Sequence, residues 1–217
     1  MIMNRRTVSA RHLIFFALLA TLPGLRAAAG ESATGAPVPR TENLSSSPRL
    51  SVIATAPDFA LFDTSGRKVR LSDHRGRVVV LAFIFTSCPG VCPIISRQMA
   101  ALQEDLRKPG LFPQKASMLS VTVDPETDSA EVLADYAKTY GADPAGWRFL
   151  RDEPSRLKKV LAAYDEWTRL LPKGEIDHPA RVYLLDSQGR IREIYSLSFF
   201  DERQAKLDIL ALLNEKQ

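Results

Sequence analysis

Residues 78–85 read VVVLAFIF, an unbroken apolar run of β-branched and aromatic side chains around a single leucine and alanine. A run of this length and make-up suits a strand buried on both faces, as in the middle of an α/β sheet. The stretch FTSCPGVCP, residues 85–93, follows at once. Val91, Ile95, Met99, Leu102 and Leu106 then recur at helical spacing. Proline is tolerated in the first turn of a helix and not in its interior, so Pro93 sets the helix start near Gly90 to Cys92. Pro109–Gly110 ends it. The run therefore dictates a buried strand, a tight turn and a helix. Cys88 and Cys92, the two cysteines of the chain, fall at or just before the helix N-terminus.

Two thiols four residues apart allow a structural disulfide, a redox pair or a metal clamp. Side chains at i and i+4 on a regular helix have Cβ atoms about 5–6 Å apart, whereas a disulfide prefers roughly 3.5–4.5 Å. So short a loop also removes little entropy from the unfolded chain. A purely structural bond is the weakest of the three readings. A helix N-terminus offers unpaired N–H groups and partial positive charge, which favour a thiolate. A thiolate both attacks disulfides and binds soft metals, so the redox and metal readings stand together.

The remaining pattern is that of an α/β domain. Phe59, Leu61 and Phe62, a turn at Ser65–Gly66, then Val69 and Leu71 predict an N-terminal hairpin. A strand is expected over 116–124. A helix is expected after it, with Asp128 as cap, Glu131 in the capping position, Val132, Leu133, Tyr136 and Tyr140 facing inward, and Gly141 at its end. WRFL at 147–150 reads as a strand, and Leu157, Val160, Leu161 and Tyr164 mark a helix after Pro154. Residues 180–186 and IREIYSL predict a second hairpin around SQGR, and residues 201–216 a last helix. Met99 and Met118 fall on apolar faces and read as core.

The N-terminus has a different character. Arg5, Arg6 and Arg11 precede the apolar run LIFFALLATL at 13–22, and small residues Ala27 and Ala29 follow. This order predicts a secretory signal over 1–29, with an uncleaved membrane anchor as the alternative. Arg5–Arg6 would also suit a twin-arginine signal. Residues 30–52, rich in Gly, Ser, Pro and Ala, predict a flexible linker, and 53–217 one domain. The chain carries 29 basic and 25 acidic residues, and the four arginines of 1–29 account for the difference. A basic nucleic-acid surface is not indicated. Export to a disulfide-permissive compartment is expected.

Three histidines exist: His12, His74 and His178. His12 lies in the expected signal. His74, in the polar stretch LSDHRGR, reads as solvated surface. His178, in GEIDHPARVYLLD, directly precedes an expected strand, and sequence spacing alone leaves it an ordinary loop residue.

FTSCPGVCP, together with the hydrophobic strand and F-x-L-x-D-x-x-G hairpin before it, SVTVDPETDS at 120–129 and DHPARVYLLDSQG at 177–189, resembles the Sco/SenC family. The motifs occur in the family's order and cover roughly residues 56–215. The resemblance implies a thioredoxin-like fold with an N-terminal β-hairpin and an inserted β-α element. It further implies a copper protein of the periplasm or inner mitochondrial membrane that assists assembly of cytochrome c oxidase. The family's two metal thiols correspond to Cys88 and Cys92, its histidine to His178 after Asp177, and its central D-P to Asp124–Pro125. Where the family usually carries an acid between the cysteines, this chain has Gly90. Pro179 after the histidine is also less usual, and the sequence does not determine whether its peptide bond is cis.

Two thiolates and an imidazole form a soft set: thiolates favour Cu(I), and imidazole accepts either oxidation state. A structural zinc site wants four ligands, and no fourth is evident. A thiol peroxidase of the same fold would carry Pro and Thr where this chain has Leu81 and Phe85. The expectation is a copper metallochaperone rather than an enzyme, with Cys88, Cys92 and His178 as ligands. Its partner would be the copper-receiving subunit of cytochrome c oxidase or another copper or thiol protein. The alternative is a thiol–disulfide oxidoreductase, with Cys88 attacking and Cys92 resolving; a copper or redox sensor would share the same chemistry. Asp124, Asp177 and Tyr183 are candidates to orient the site.

Overall fold

The computed structural model describes residues 44–45, 48, 50–172, 175–196 and 200–215. The expected signal at 1–29 and most of the expected linker lie outside these residues. The elements are β1 (Ala54–Thr55), β2 (Ala60–Asp63), β3 (Lys68–Arg70), a 3-10 turn at Leu71–His74, β4 (Val78–Ile84) and α1 (Cys92–Arg107). Then come β5 (Ala116–Thr122), α2 (Ala130–Thr139), β6 (Trp147–Arg151), α3 (Pro154–Ala163), β7 (Arg169–Leu170) and β8 (Ile176–Asp177). The chain closes with β9 (Val182–Leu185), β10 (Arg190–Tyr195) and α4 (Glu202–Asn214). One sheet runs β1-β10-β9-β4-β5-β6-β2-β3, and β7-β8 form a separate hairpin.

The apolar run lies in the middle of this sheet. Every residue of β4 is buried, with β5 parallel on one side and β9 antiparallel on the other. α1 lays Ile95, Met99, Leu102 and Leu106 into the core with no exposed area. Each such side chain contributes about 1.5–3 kcal/mol of burial. Met118 is equally buried on β5. α4 packs along α1, where Lys206 meets Asp105 at 3.3 Å and Gln98 donates to the Phe200 carbonyl at 2.7 Å.

This topology positions the site. β4 and β5 are parallel, with Ile84 opposite Thr122, so the loops that follow both strands emerge at one end of the sheet. β9 runs the other way, with Val182 opposite Ala82. The chain entering β9 must therefore pass beside the loop leaving β4.

Several local expectations change. α2 is capped by Ser129, whose side chain accepts from Val132 N–H; the Asp128 carboxylate turns inward instead. Val132 is 40% exposed, while Leu133 is fully buried and carries that helix into the core. His74 is 6% exposed, not solvated: the 3-10 turn folds its ring inward and Nδ1 lies 2.8 Å from Ser117 Oγ. The one cis peptide among the described residues is Phe112–Pro113, so the bond before Pro179 is trans. Period and propensity did not predict the two-residue strands β1, β7 and β8, which are too short to carry a pattern.

Candidate metal centre

β4 ends at Ile84 in the middle of the core, and residues 85–91 turn sharply before α1. Cys88 N–H closes a turn to the Phe85 carbonyl at 3.4 Å, and Ile94 and Ile95 N–H both reach the Val91 carbonyl at 3.0 Å. With Pro93 in the first turn, the helix begins at Cys92. Cys88 is partly exposed, Cys92 is buried, and the two sulfurs are free neighbours.

Their environments separate them. The Cys92 thiol beside it, helped by the backbone N–H groups of Cys92, Gly90 and Val91, holds Cys88 down to about 5 against the opposing effect of burial. The same contact, read from the other side, pushes Cys92 up, and burial adds to it. A proton on one sulfur and a negative charge on the other is the stable arrangement of two close thiols.

His178 completes the group. Its Nε2 lies 4.0 Å from Cys92 Sγ, and its ring meets Phe85 edge-on with centroids 5.6 Å apart. Burial lowers its pKa, with the charge of Cys88 pulling the other way, so the ring favours the neutral form that metals require. Its Nδ1 is buried without a hydrogen-bond partner. Two ligands of one ion, bonded at about 2.0–2.3 Å, stand roughly 3.5–4 Å apart. The sulfur–nitrogen pair is therefore spaced as co-ligands would be. Among the described residues, no three His, Cys, Asp or Glu side chains are gathered as a formed metal site, so ligation by all three requires side-chain movement.

The group opens into a cleft of about 490 Å³. Phe85, Cys88 and Gly90 line one side, and Leu171, Ile176 and His178 line the other. A Cβ placed on Gly90 would meet nothing within 4 Å, so this position faces open space.

Of the candidate orienting residues, none touches the sulfurs through a described hydrogen bond. Asp177 pairs with Arg169 across the β7–β8 hairpin. The Tyr183 hydroxyl lies 2.8 Å from the Tyr164 carbonyl and 2.9 Å from Glu166 Oε1, inside an aromatic cluster with Phe83 and Tyr164. Asp124 lines a separate cleft with Pro125 and Trp167. The residue that sequence reasoning misplaced is Asp128. Fully buried, its carboxylate accepts from Thr86 N–H, Thr86 Oγ1 and Thr122 Oγ1, and so ties the cysteine loop to β5. Its place in TVDPETD, just after a strand that ends beside β4, is the signal that would have found it.

A mixed sheet with a dithiol at the N-terminus of the helix after its central strand, and a histidine entering from the antiparallel neighbour, defines a thioredoxin-like dithiol protein. The SCO1/SenC family profile matches residues 49–214, and the chain belongs to that family. It is 32% identical over 145 residues to the Bos taurus mitochondrial SCO2 homolog, covering 64% of this chain. It spans 53% of that relative, about half the length of the curated mammalian proteins it matches. The copper-bound structure of Bradyrhizobium japonicum ScoI superposes with a TM-score of 0.62 at 26% identity, covering 73% of this chain and 99% of that one. BsSco, described with a disulfide switch and as a member of the Sco family of cytochrome c oxidase assembly proteins, gives a TM-score of 0.66 at 23% identity. It covers 78% of this chain and all of that one, and supports the fold.

Proposed function

We propose that this chain is a copper metallochaperone of cytochrome c oxidase assembly, binding copper as cargo through Cys88, Cys92 and His178. The observation that carries the reading is the 4.0 Å approach of His178 Nε2 to Cys92 Sγ beside the Cys88 thiolate. The copper-bound state of a family member with the same fold supports it. Two sulfurs and one imidazole suit Cu(I). Loading releases the proton of Cys92 and is pH-dependent. Delivery proceeds by exchange of these ligands for thiols of a recipient, here taken as the copper-receiving subunit of the oxidase. The chain acts outside the cytoplasm, facing the periplasm, released or anchored through residues 1–29.

An anaerobic Cu(I) competition titration of the reduced protein tests the ligand set. One tight equivalent is expected, clearly weakened in His178→Ala and lost in the double Cys88→Ala/Cys92→Ala variant. Wild-type affinity in the double-cysteine variant overturns it.

The unequal thiols favour a second reading, a thiol–disulfide oxidoreductase. The Cys88 thiolate attacks a target disulfide and forms a mixed disulfide. Cys92, giving up its proton, then displaces the target thiolate. The target leaves with two thiols and the protein with a Cys88–Cys92 disulfide, which an external dithiol must reduce. Copper binding indifferent to His178, with ready cycling of that disulfide, selects this reading.

A further inference from the structure

At the end of the strands opposite the cysteines lies a further, partly open pocket of about 280 Å³. Arg67 and Lys68, at the start of β3, form one wall, and Arg77, just before β4, another. Arg148, at the start of β6, and the buried ring of His74 lie behind them. The volume falls just below the roughly 300–1,000 Å³ of pockets that take drug-sized ligands.

The charges here do not cancel. Asp63 is 4% exposed and faces two guanidiniums, with Arg148 at 2.9 Å and Arg67 at 3.5 Å. Its other oxygen is taken by the N–H groups of Ser65 and Arg67. The Asp73 carboxylate accepts from Arg70 N–H. Arg77 donates at 2.9 Å to the Asp73 carbonyl, a neutral acceptor, and makes no ion pair among the described residues; nor does Lys68. Four cations thus converge on two carboxylates that are already engaged.

His74 reports the resulting field. Burial first, then Arg77 and Arg148, lower it to about 4, with Asp73 opposing and Arg67 adding to the effect. The imidazole stays neutral and holds Ser117 through Nδ1, which leaves Nε2 as the ring nitrogen open to a ligand. A concave site with surplus guanidinium and ammonium donors selects a small oxyanion, because the planar guanidinium fork matches two oxygens at once.

We propose that this pocket binds a phosphate-type oxyanion, as the free ion or as the headgroup of an anionic lipid, through Arg77 and Lys68 with Arg148 behind them. The site is independent of the cysteine centre. Inorganic phosphate is titrated into the full chain by calorimetry at constant ionic strength, with chloride as the balancing anion. Saturable binding is expected, weakened about tenfold or more in Arg77→Gln/Lys68→Gln, since a charged hydrogen bond is lost at each position. Lys68→Gln alone, at an exposed position, gives the same direction without risk to the fold, and thermal unfolding of each variant checks that. Non-saturable heats, or wild-type affinity in the folded double variant, overturn the proposal. Vesicles of phosphatidylglycerol and of phosphatidylcholine separate the sources. Pelleting with phosphatidylglycerol that falls with added phosphate and with the double substitution identifies a headgroup site. Phosphate binding without such pelleting identifies the free ion.

Discussion

Cys88 and Cys92 are the same residue type four positions apart, and their surroundings give them opposite chemistry. Cys88, held to about 5 by the Cys92 thiol and three backbone N–H groups, is a thiolate at neutral pH. Cys92 keeps its proton. Alkylation of the reduced protein with iodoacetamide, followed by mass spectrometry, is expected to label Cys88 with a midpoint near pH 5, and Cys92 barely at all; a midpoint near the ordinary thiol value of about 8.5 contradicts this. In Gly90→Asp, where the new side chain has open space, the fold is unchanged and the midpoint rises by roughly one pH unit, because a like charge stands beside the thiolate. Glu166 is a second residue set by its surroundings. Burial raises it to about 7, while Tyr183 and Arg181 act against that shift. The folded protein then holds a proton that the unfolded chain releases between the ordinary carboxylate value and about 7. Stability is therefore lost as pH rises through that window, by on the order of 3 kcal/mol. Urea unfolding at pH 5 and pH 8 is expected to show this loss in the wild type and a smaller one in Glu166→Gln. Equal losses in both remove Glu166 as the cause.

Among the elements, the loop between β4 and α1 carries the chemistry, and its anchor is Asp128 on the next loop over. That carboxylate is buried, and burial raises its pKa against the pull of Thr122 and Thr86. Its three hydrogen bonds cross from the end of β5 to the residue that follows Phe85. Asp128→Ala strands a buried donor on Thr122, at about 1–3 kcal/mol, and half-buried donors on Thr86, at less. The expected result is a loss of roughly 2–4 kcal/mol in urea unfolding, faster amide exchange at Thr86, and weaker Cu(I) binding with all three proposed ligands intact. Unchanged exchange at Thr86 would show that the loop holds its shape without this tie. The sequence placed Asp128 near a helix start, which is where it lies along the chain. Ser129, one residue on, is the cap, and only the neighbouring strand reveals why Asp128 turns away.

At the scale of the molecule, the sheet order brings together residues that are 86 positions apart, Cys92 and His178. Neither loop brings these side chains together alone, so a metal held by both would be linked to the folded sheet. Cu(I) at a thousandfold excess over its dissociation constant is expected to add about 4 kcal/mol to folding stability. Thermal unfolding under anaerobic conditions should show a raised midpoint for the wild type and a smaller rise for His178→Ala. An equal rise in both would place the metal on the cysteines alone.

Much of this was legible in the chain. The apolar run 78–85, the helical spacing from Val91 and the position of Pro93 determined a buried strand, a turn and a helix with two thiols at its start, because periodicity and proline geometry are local properties. Phe59 to Leu71 likewise foretold the hairpin, and Met99 and Met118 the core. Other features depend on strand pairing, which no local pattern encodes. The antiparallel entry of β9 beside β4 turned His178 from a loop residue into the neighbour of Cys92. The folding of the 3-10 turn over β5 buried His74, which a polar stretch had marked as surface. The parallel pairing of β4 and β5 made Asp128 a tie and not a cap. Charge and burial follow from contacts across the sheet, so the inequality of the two thiols, alike in sequence, was decided by the tertiary structure alone.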